Sequence, residues 1–399
     1  MYRTITIKLR RTEQLDALAR ECGRIYSKTI SYIHKIHRRK GFWLKSTQVQ
    51  KIIKSDKLHS QTTQALIQKY FASLKSYFGN KKTNPDARPP LRRRKFFCIP
   101  FKSSAIHIEG GDIVLSCGKG VSPVVIPIPK GKALPQPKLA EIVWDNGYYL
   151  RLTVEATASP ASTNGGIVAI DPGEIHPITA FDGEKGVIYN GRLLRSQIQY
   201  REKAKSSYQT RLSKKKKGSH RRLNLLRAKR KKLGKVNNRI KDCVHKITRH
   251  FVETAKRAKV STVVYGDTTH IRQSLDYGKK ANQKLHQWLF SRVRTQVNYK
   301  LAEYGIGFAL VNERGTSHTC PVCDGRVNPN GRSFKCGNCG FRSHRDVVGA
   351  INILSKYQGH SVPVVAAMAP ATGIRFNWNL RCSARPRISR MKAVESVKG

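Results

Sequence analysis

Residues 336 to 354 read CGNCGFRSHRDVVGAINIL. Two closely spaced cysteines and a glycine run directly into an apolar stretch with helical periodicity, and one aspartate, Asp346, stands at its head. The stretch joins a metal-binding turn to a core helix, with the acid at the junction. The turn has an upstream partner: Cys320, Cys323, Cys336 and Cys339 form the pattern C-x2-C-x12-C-x2-C. Each pair sits on a tight turn with both thiolates facing one ion, and four thiolates complete the closed tetrahedral shell that zinc prefers. Gly325 and Gly340 suit those turns. Two matched pairs argue against a redox CxxC. The expectation is a structural zinc ribbon, which leaves any chemistry to other residues.

The chain has 399 residues with 77 Lys plus Arg against 24 Asp plus Glu, a net charge of +53. A chain this basic needs a polyanion, and nucleic acid is the expected partner. Charge alone does not separate an enzyme from a binder. There is no run of 18 apolar residues, and the N-terminal MYRTITIKLRRTEQ has no signal-peptide pattern. No membrane association is therefore expected, and the location expected is cytoplasmic, with the nucleoid. Nine cysteines, four in one window and Cys22, Cys98, Cys117, Cys243 and Cys382 scattered, indicate a reducing compartment rather than a disulfide framework.

Working outward, YRTITIKL at 2 to 9 alternates as a strand. Leu15, Leu18, Cys22, Ile25, Ile30, Ile33 and Ile36 have helical spacing, as does QALIQKYFASLKSYF at 64 to 78. Tyr70, Phe71, Tyr77 and Phe78 fall at that spacing and are expected in the core rather than stacking on bases. From 96 to 157 short alternating segments, with a hairpin turn at Asp145-Asn146-Gly147, read as a small β-barrel or sheet with a helical insertion at 11 to 89. A second unit begins after the linker at 159 to 166. Its strands IVAID (167 to 171), STVVYG (261 to 266) and GIGFALVNE (305 to 313) alternate with helices, an α/β pattern. A helical region at 190 to 258 carries 18 Lys or Arg between 201 and 241, with Glu202 the one acid there. Such one-sided charge repels itself along each face and is expected to track a phosphate backbone, through Lys214, Lys215, Lys216, Lys217, Arg221, Arg222, Arg230, Lys231 and Lys232. Residues 358 to 399 read as an irregular, disordered basic tail.

Asp171 ends the strand IVAID, and by itself is an ordinary strand-end acid before Pro-Gly. Asp346 by itself is an ordinary first-turn acid. Two acids at the ends of core elements in a strongly basic chain suggest an oxygen-ligand site for Mg²⁺. Two ions roughly 4 Å apart activate water and stabilise the leaving oxygen of a phosphodiester, chemistry that calls for a third acid.

IVAIDPG and TSHTCPVCDG…KCGNCGFRSHRDVVGAINIL closely resemble motifs of the TnpB (OrfB) family, transposon-encoded RNA-guided nucleases related to compact type V CRISPR effectors. The resemblance covers roughly residues 1 to 357. It implies a multidomain α+β chain: a wedge-like β-barrel at 1–10 and 90–158 with a helical recognition insertion at 11–89, then an RNase H-like (RuvC) α/β nuclease domain at 165–357 with the zinc ribbon inserted at 316–342. It further implies an RNA-guided DNA endonuclease that binds guide RNA and target DNA and cleaves beside a short duplex motif. Its catalytic acids would include Asp171 and Asp346, with two Mg²⁺ ions, or Mn²⁺ in their place.

The family pattern fails at the second motif, where a strand typically ends in Glu and this chain has Gly266 followed by Asp267. In an RNase H-like sheet the strands ending at 266 and 313 are parallel neighbours, about 4.8 Å apart, so Glu313 can reach an ion normally held from the first. Similar rearrangements occur within the family. Asp267 is one residue out of phase and points to the opposite face. Glu313 is the favoured third ligand; Asp267, or a nuclease-inactive RNA-guided repressor, are the alternatives. A DDE transposase would share the fold but not the ribbon's position. Monomer and homodimer remain equally open.

Overall fold

The computed structural model describes residues 2–128, 134–155, 159–160, 164–269, 271, 276, 278–329, 331–361, 371–375 and 387–390. The chain forms two compact units, Met1–Thr157 and Ala158–Gly399.

In the first unit, strand β1 (Tyr2–Leu9) leads into helices α1 (Glu13–Lys40), α2 (Ser46–Ile52) and α3 (Ser60–Lys81). Thr12 caps α1 by accepting from the Leu15 N–H at 3.2 Å, and Gly41 ends it in the left-handed conformation at φ 74°. Leu15, Leu18, Cys22, Ile25, Ile30 and Ile33 are buried, and Ile36 is half-buried. Strands β2 (Ile99–Lys102), β3 (Ile106–Glu109), β4 (Asp112–Leu115), β5 (Val124–Pro127), β6 (Pro137–Trp144) and β7 (Tyr148–Glu155) follow. The Asp145-Asn146-Gly147 turn joins β6 to β7, with Asn146 left-handed at φ 54°. Tyr70 is fully buried, its hydroxyl 2.7 Å from His34 Nε2, while Phe78 is 40% exposed against the edge of Trp43.

No closed barrel forms among the described residues. The strands make two open antiparallel sheets, ordered β1-β7-β6-β2 and β3-β4-β5. A helical turn at Ser103–Ala105 separates β2 from β3 and passes the chain from one sheet to the other. Alternation tells which face of a strand is buried, not which edge it finds. The inserted helices are no separate body either: Ile25, Leu66 and Tyr70 share one apolar cluster with Ile99, Leu115 and Leu150.

In the second unit, β8 (Ile167–Asp171), β9 (Ile178–Phe181) and β10 (Gly186–Tyr189) precede a helical hairpin, α4 (Arg192–Ser213) and α5 (His220–Arg257). Then come β11 (Thr262–Asp267), α6 (Gly278–Gln287), α7 (Phe290–Ala302) and β12 (Gly307–Asn312). The ribbon strands β13 (Ser333–Lys335) and β14 (Arg342–His344) lead directly into α8 (Arg345–Gln358). Between β11 and β12 the chain forms two helices and not one, broken where Trp288 turns into the core. The basic region is likewise two helices, broken at a turn where Gly218 takes φ 84°.

The sheet order is β12-β11-β8-β9-β10-β15-β16. Its last two strands, β15 (Ala371–Arg375) and β16 (Arg387–Arg390), correct the expectation of an irregular tail. β15 pairs in parallel with β10, and Ile374 is buried. One buried apolar side chain in a short segment is too little to show as a sequence pattern. Gln358 still belongs to α8, which Gly359 caps; residues 362–370, 376–386 and 391–399 of that tail lie outside the described ones. One face of the sheet packs Val263 and Tyr265 against α5 and α7; the other packs Ala169 and Val264 against α8 and the ribbon.

α8 lies unusually close to β8. A Cβ added to Gly349 would sit 2.7 Å from Asp171 Oδ2, inside any real contact distance. Gly349→Ala is therefore expected to push α8 off the sheet and cost about 1–3 kcal/mol in urea denaturation. Gly79→Ala, on an open face of α3 where nothing lies within 4 Å of the added carbon, is expected to stabilise by about 0.5–1 kcal/mol.

Candidate active site and nucleic-acid interface

The ladder registers place the acids. β11 runs between β8 and β12, parallel to both, with Tyr265 opposite Ile170 and Asp267 opposite Asn312. One step further along puts Gly266 beside Asp171. Since alternate residues face opposite sides, Asp171 and Gly266 face α8, and Asp267 faces α7. There Asp267 accepts from Arg294 Nη1 at 3.1 Å and from the Thr269 N–H at 2.9 Å. Glu313, one residue past β12, folds back onto the α8 face. A Cβ on Gly266 would lie 3.0 Å from Glu313 Oε2, 3.0 Å from Ile353 Cδ1 and 3.0 Å from Pro172 Cδ. The Glu313 carboxylate thus fills the space that a side chain at 266 would enter, and Gly266 leaves it free.

These carboxyls are out of balance with their surroundings. Burial, then the charges of Asp346 and Glu313, raises the Asp171 pKa well above the carboxylate range, with Arg345 and Arg332 opposing. Burial, then Asp267, pushes Glu313 up to about 7. Among the described residues, Glu313 Oε2 is buried with no hydrogen-bond partner, as is Thr179 Oγ1 opposite Asp171 in the β8–β9 ladder. A divalent cation would offset the burial of both carboxyls, but Asp171, Glu313 and Asp346 are not among the described groups whose ligand atoms lie within 4.8 Å of one another.

Asp346 is held differently. It receives His176 Nδ1 at 2.6 Å and Arg332 Nη1 at 2.8 and 2.6 Å on its two oxygens. Burial disfavours its charge, but the His176 hydrogen bond and the Arg332 charge outweigh that and keep its pKa below the usual range. His176 rides on the turn after β8, closed by the Gly173 N–H on the His176 carbonyl at 2.8 Å. His344 caps α8, its Nδ1 accepting the Asp346 N–H at 3.3 Å. His176, His344 and Asp346 bring potential ligand atoms within 4.8 Å of one another. Within this group His344 holds the Asp346 backbone N–H, while His176, together with Arg332, clasps the Asp346 carboxylate. Sequence reasoning missed His176, Arg332 and Asn352. Only a His five residues after Asp171, and an Asn on the Asp346 helix, were there to be noticed.

The four ribbon sulfurs come together: Cys320 to Cys339 is 3.6 Å, Cys323 to Cys336 is 3.5 Å, and all four lie within 4.8 Å. Tetrahedral bonds of ~2.3 Å place sulfurs about 3.8 Å apart, so the cluster fits one metal ion. Backbone N–H groups of Cys339 and Asn338 aim at the Cys336 sulfur and bring its pKa down to about 6, favouring the thiolate. Burial pushes Cys320 the other way, to about 12.

In the basic hairpin, Lys214, Lys215, Lys216, Lys217, Arg221, Arg230, Lys231 and Lys232 are exposed. Lys232 lies 5.3 Å over the Tyr200 ring. Arg222 is instead half-buried and donates to the Leu212 and Lys215 carbonyls, closing the hairpin. Among the described residues, no helix is long and apolar enough to cross a membrane.

Residues 150–272 match a family model described as a probable transposase, OrfB of IS605, and residues 290–353 match the Cas12f1-like TNB domain. A TnpB-like protein of Methanocaldococcus jannaschii is 32% identical over 127 residues, 31% of this chain and 45% of that protein. A Streptomyces pristinaespiralis protein provisionally named an RNA-guided DNA endonuclease is 26% identical over 79% of this chain and 75% of its own length. The matched segment thus spans under half of the archaeal relative. Among solved structures, Cas12f1 in a complex with sgRNA and target DNA shares the fold, with a TM-score of 0.55 at 15% identity over 85% of this chain and 81% of that one.

The raised Glu313 carboxyl carries a pH signature. Its folded-state pKa exceeds the ordinary value, so stability falls as pH rises from the usual carboxylate range to about 7. Without added divalent ions, Glu313→Gln is expected to melt above the wild type at pH 8. The difference should nearly vanish at pH 5, where the buried acid is already protonated. Melting curves at the two pH values check this.

Proposed function

The chain belongs to the TnpB family, and we propose that it is an RNA-guided DNA endonuclease whose second unit is an RNase H-like (RuvC) nuclease. The observation that carries this reading is Glu313: an acid from the neighbouring strand end, with an unpartnered buried oxygen, in the slot left by Gly266 and within electrostatic reach of Asp171. Asp171, Glu313 and Asp346 would hold two Mg²⁺ ions, with Mn²⁺ able to substitute. When bound, the ions supply Lewis-acid stabilisation of charge in phosphodiester hydrolysis. The protein's own part is to hold the carboxylates. The clasp of His176 and Arg332 fixes Asp346, and the sheet register fixes Asp171. Asp267, engaged by Arg294 on the far face, is outside the site.

Zinc on Cys320, Cys323, Cys336 and Cys339 would set the ribbon that runs straight into α8, and so the start of the helix bearing Asp346. The exposed lysines and arginines of α4 and α5 would follow the backbones of a guide RNA and of its duplex with target DNA, while base pairing reads the sequence. Arg222, spent on the hairpin, drops out of that set.

Guide-loaded Asp171→Ala, Glu313→Ala and Asp346→Ala should each lose more than the roughly 100-fold that removal of an outer-shell partner costs, with target binding retained. Asp267→Ala should be milder. Full cleavage by Glu313→Ala with none by Asp267→Ala would return the third acid to the β11 end. A wild-type protein that binds guided target but never cuts, whichever divalent ion is supplied, would instead be a repressor.

The purified chain should hold one zinc, and Cys336→Ser should lower both zinc content and melting temperature. Charge reversal at Lys214 to Lys217 and Arg221 should flatten the salt dependence of RNA binding by roughly 0.7–0.9 for each phosphate that is no longer neutralised. An unchanged slope would remove the hairpin from the interface.

A further inference from the structure

The turn that carries Glu313 is anchored by α8 itself. Glu313-Arg314-Gly315-Thr316 is a tight turn: the Thr316 N–H donates to the Glu313 carbonyl at 3.2 Å, and Gly315 takes φ 84°, as its third position requires. The Thr316 hydroxyl donates to the same carbonyl at 2.8 Å and is almost fully buried. Asn352, 8% exposed, then spends both amide N–H groups on this segment, reaching the Thr316 carbonyl at 2.6 Å and the Thr319 carbonyl at 2.8 Å. Both partners are carbonyls, which only accept, so the amide nitrogen has to face them. Asp346, Gly349, Asn352 and Ile353 fall on one stripe of α8 at spacings of three and four. Along it they present the third acid, the close approach to Asp171, the anchor of the Glu313 turn, and the wall beside Gly266.

We infer that Asn352 is a positioning residue for Glu313: through its two hydrogen bonds to the 316–319 backbone it locks the relocated acid to the helix that carries Asp346. This rests on the reading of Glu313 as a metal ligand. An acid on a loop just past a strand end has no ladder to hold it. α8 supplies that constraint: Lys356 Nζ donates to the Arg314 and Asn312 carbonyls at 2.7 and 3.4 Å from the exposed side, and the Asn352 amide holds the buried side of the turn. A merely structural role would hold the root of the ribbon instead, since Thr319 precedes Cys320.

The test uses the full-length chain and Mn²⁺ as probe, with bound ion read from the loss of the free-ion electron paramagnetic resonance signal. Asn352→Leu keeps the volume and removes both donors. It is expected to weaken Mn²⁺ binding about tenfold or more while zinc stays at one per chain. In a Glu313→Ala background the same substitution should add no further loss, because Asn352 acts only through that acid. Should Asn352→Leu fold poorly, Thr316→Val, which removes the hydroxyl bond to the Glu313 carbonyl, should weaken Mn²⁺ in the same direction. Undiminished Mn²⁺ binding in these variants, or an equal loss with and without Glu313, overturns the inference. So does loss of zinc with Mn²⁺ affinity intact. If Glu313→Ala itself binds Mn²⁺ and cleaves like the wild type, the proposed site falls with it; if Glu313→Ala fails and Asn352→Leu does not, this inference alone falls.

Discussion

The closeness of α8 to β8 is the constraint from which the second unit's site follows. Gly349 lets the helix rest on the Asp171 side chain with no Cβ between them. At that distance Asp346 in the first turn, Ile353 over Gly266 and Asn352 at the 316–319 backbone all reach their neighbours at once. Close-packed interiors transmit such displacements instead of absorbing them. The ribbon joins the same arrangement because β14 ends where α8 begins, and because Cys320, Phe334 and Cys336 share the apolar cluster of Val347, Val348 and Ile351.

Electrostatics explains why this face suits cations in a chain of net charge +53. The bases are spread over exposed helices, whereas Asp171, Glu313 and Asp346 lie where burial penalises their charge. Two of them, Asp171 and Glu313, are pushed towards the protonated form; the third, Asp346, is kept ionised by His176 and Arg332. A nearby positive charge would offset the burial and like-charge repulsion that raise Asp171 and Glu313. Arg332 comes from the ribbon, so the four-cysteine insertion also supplies a counter-charge to Asp346.

Gly266 and Glu313 share one space at the strand ends. Parallel neighbours bring the ends of β11 and β12 side by side, and a Glu one residue beyond the second strand has the length to fold back over the first. A bulkier residue at 266 would close the slot, since the atoms of Glu313, Ile353 and Pro172 already surround it.

What the sequence determined by itself was local or periodic. The cysteine spacing set which sulfurs meet, strand alternation separated Glu313 from Asp267 by face, and the apolar stripe of α1 marked its buried side. Each depends on neighbours a few residues apart, where backbone geometry alone decides the outcome. What only the tertiary structure decided depends on distant partners. The strands of the first unit form two open sheets because a turn at 103–105 redirects the chain, and β15 extends the second sheet with one buried isoleucine. The grip on Asp346 joins residues 170 and 14 positions away, and the Asn352 anchor spans 36 and 33. No residue type or spacing encodes such pairs, because a polar side chain reads the same in sequence whether it ends in solvent or on a buried carbonyl; only packing chooses between them.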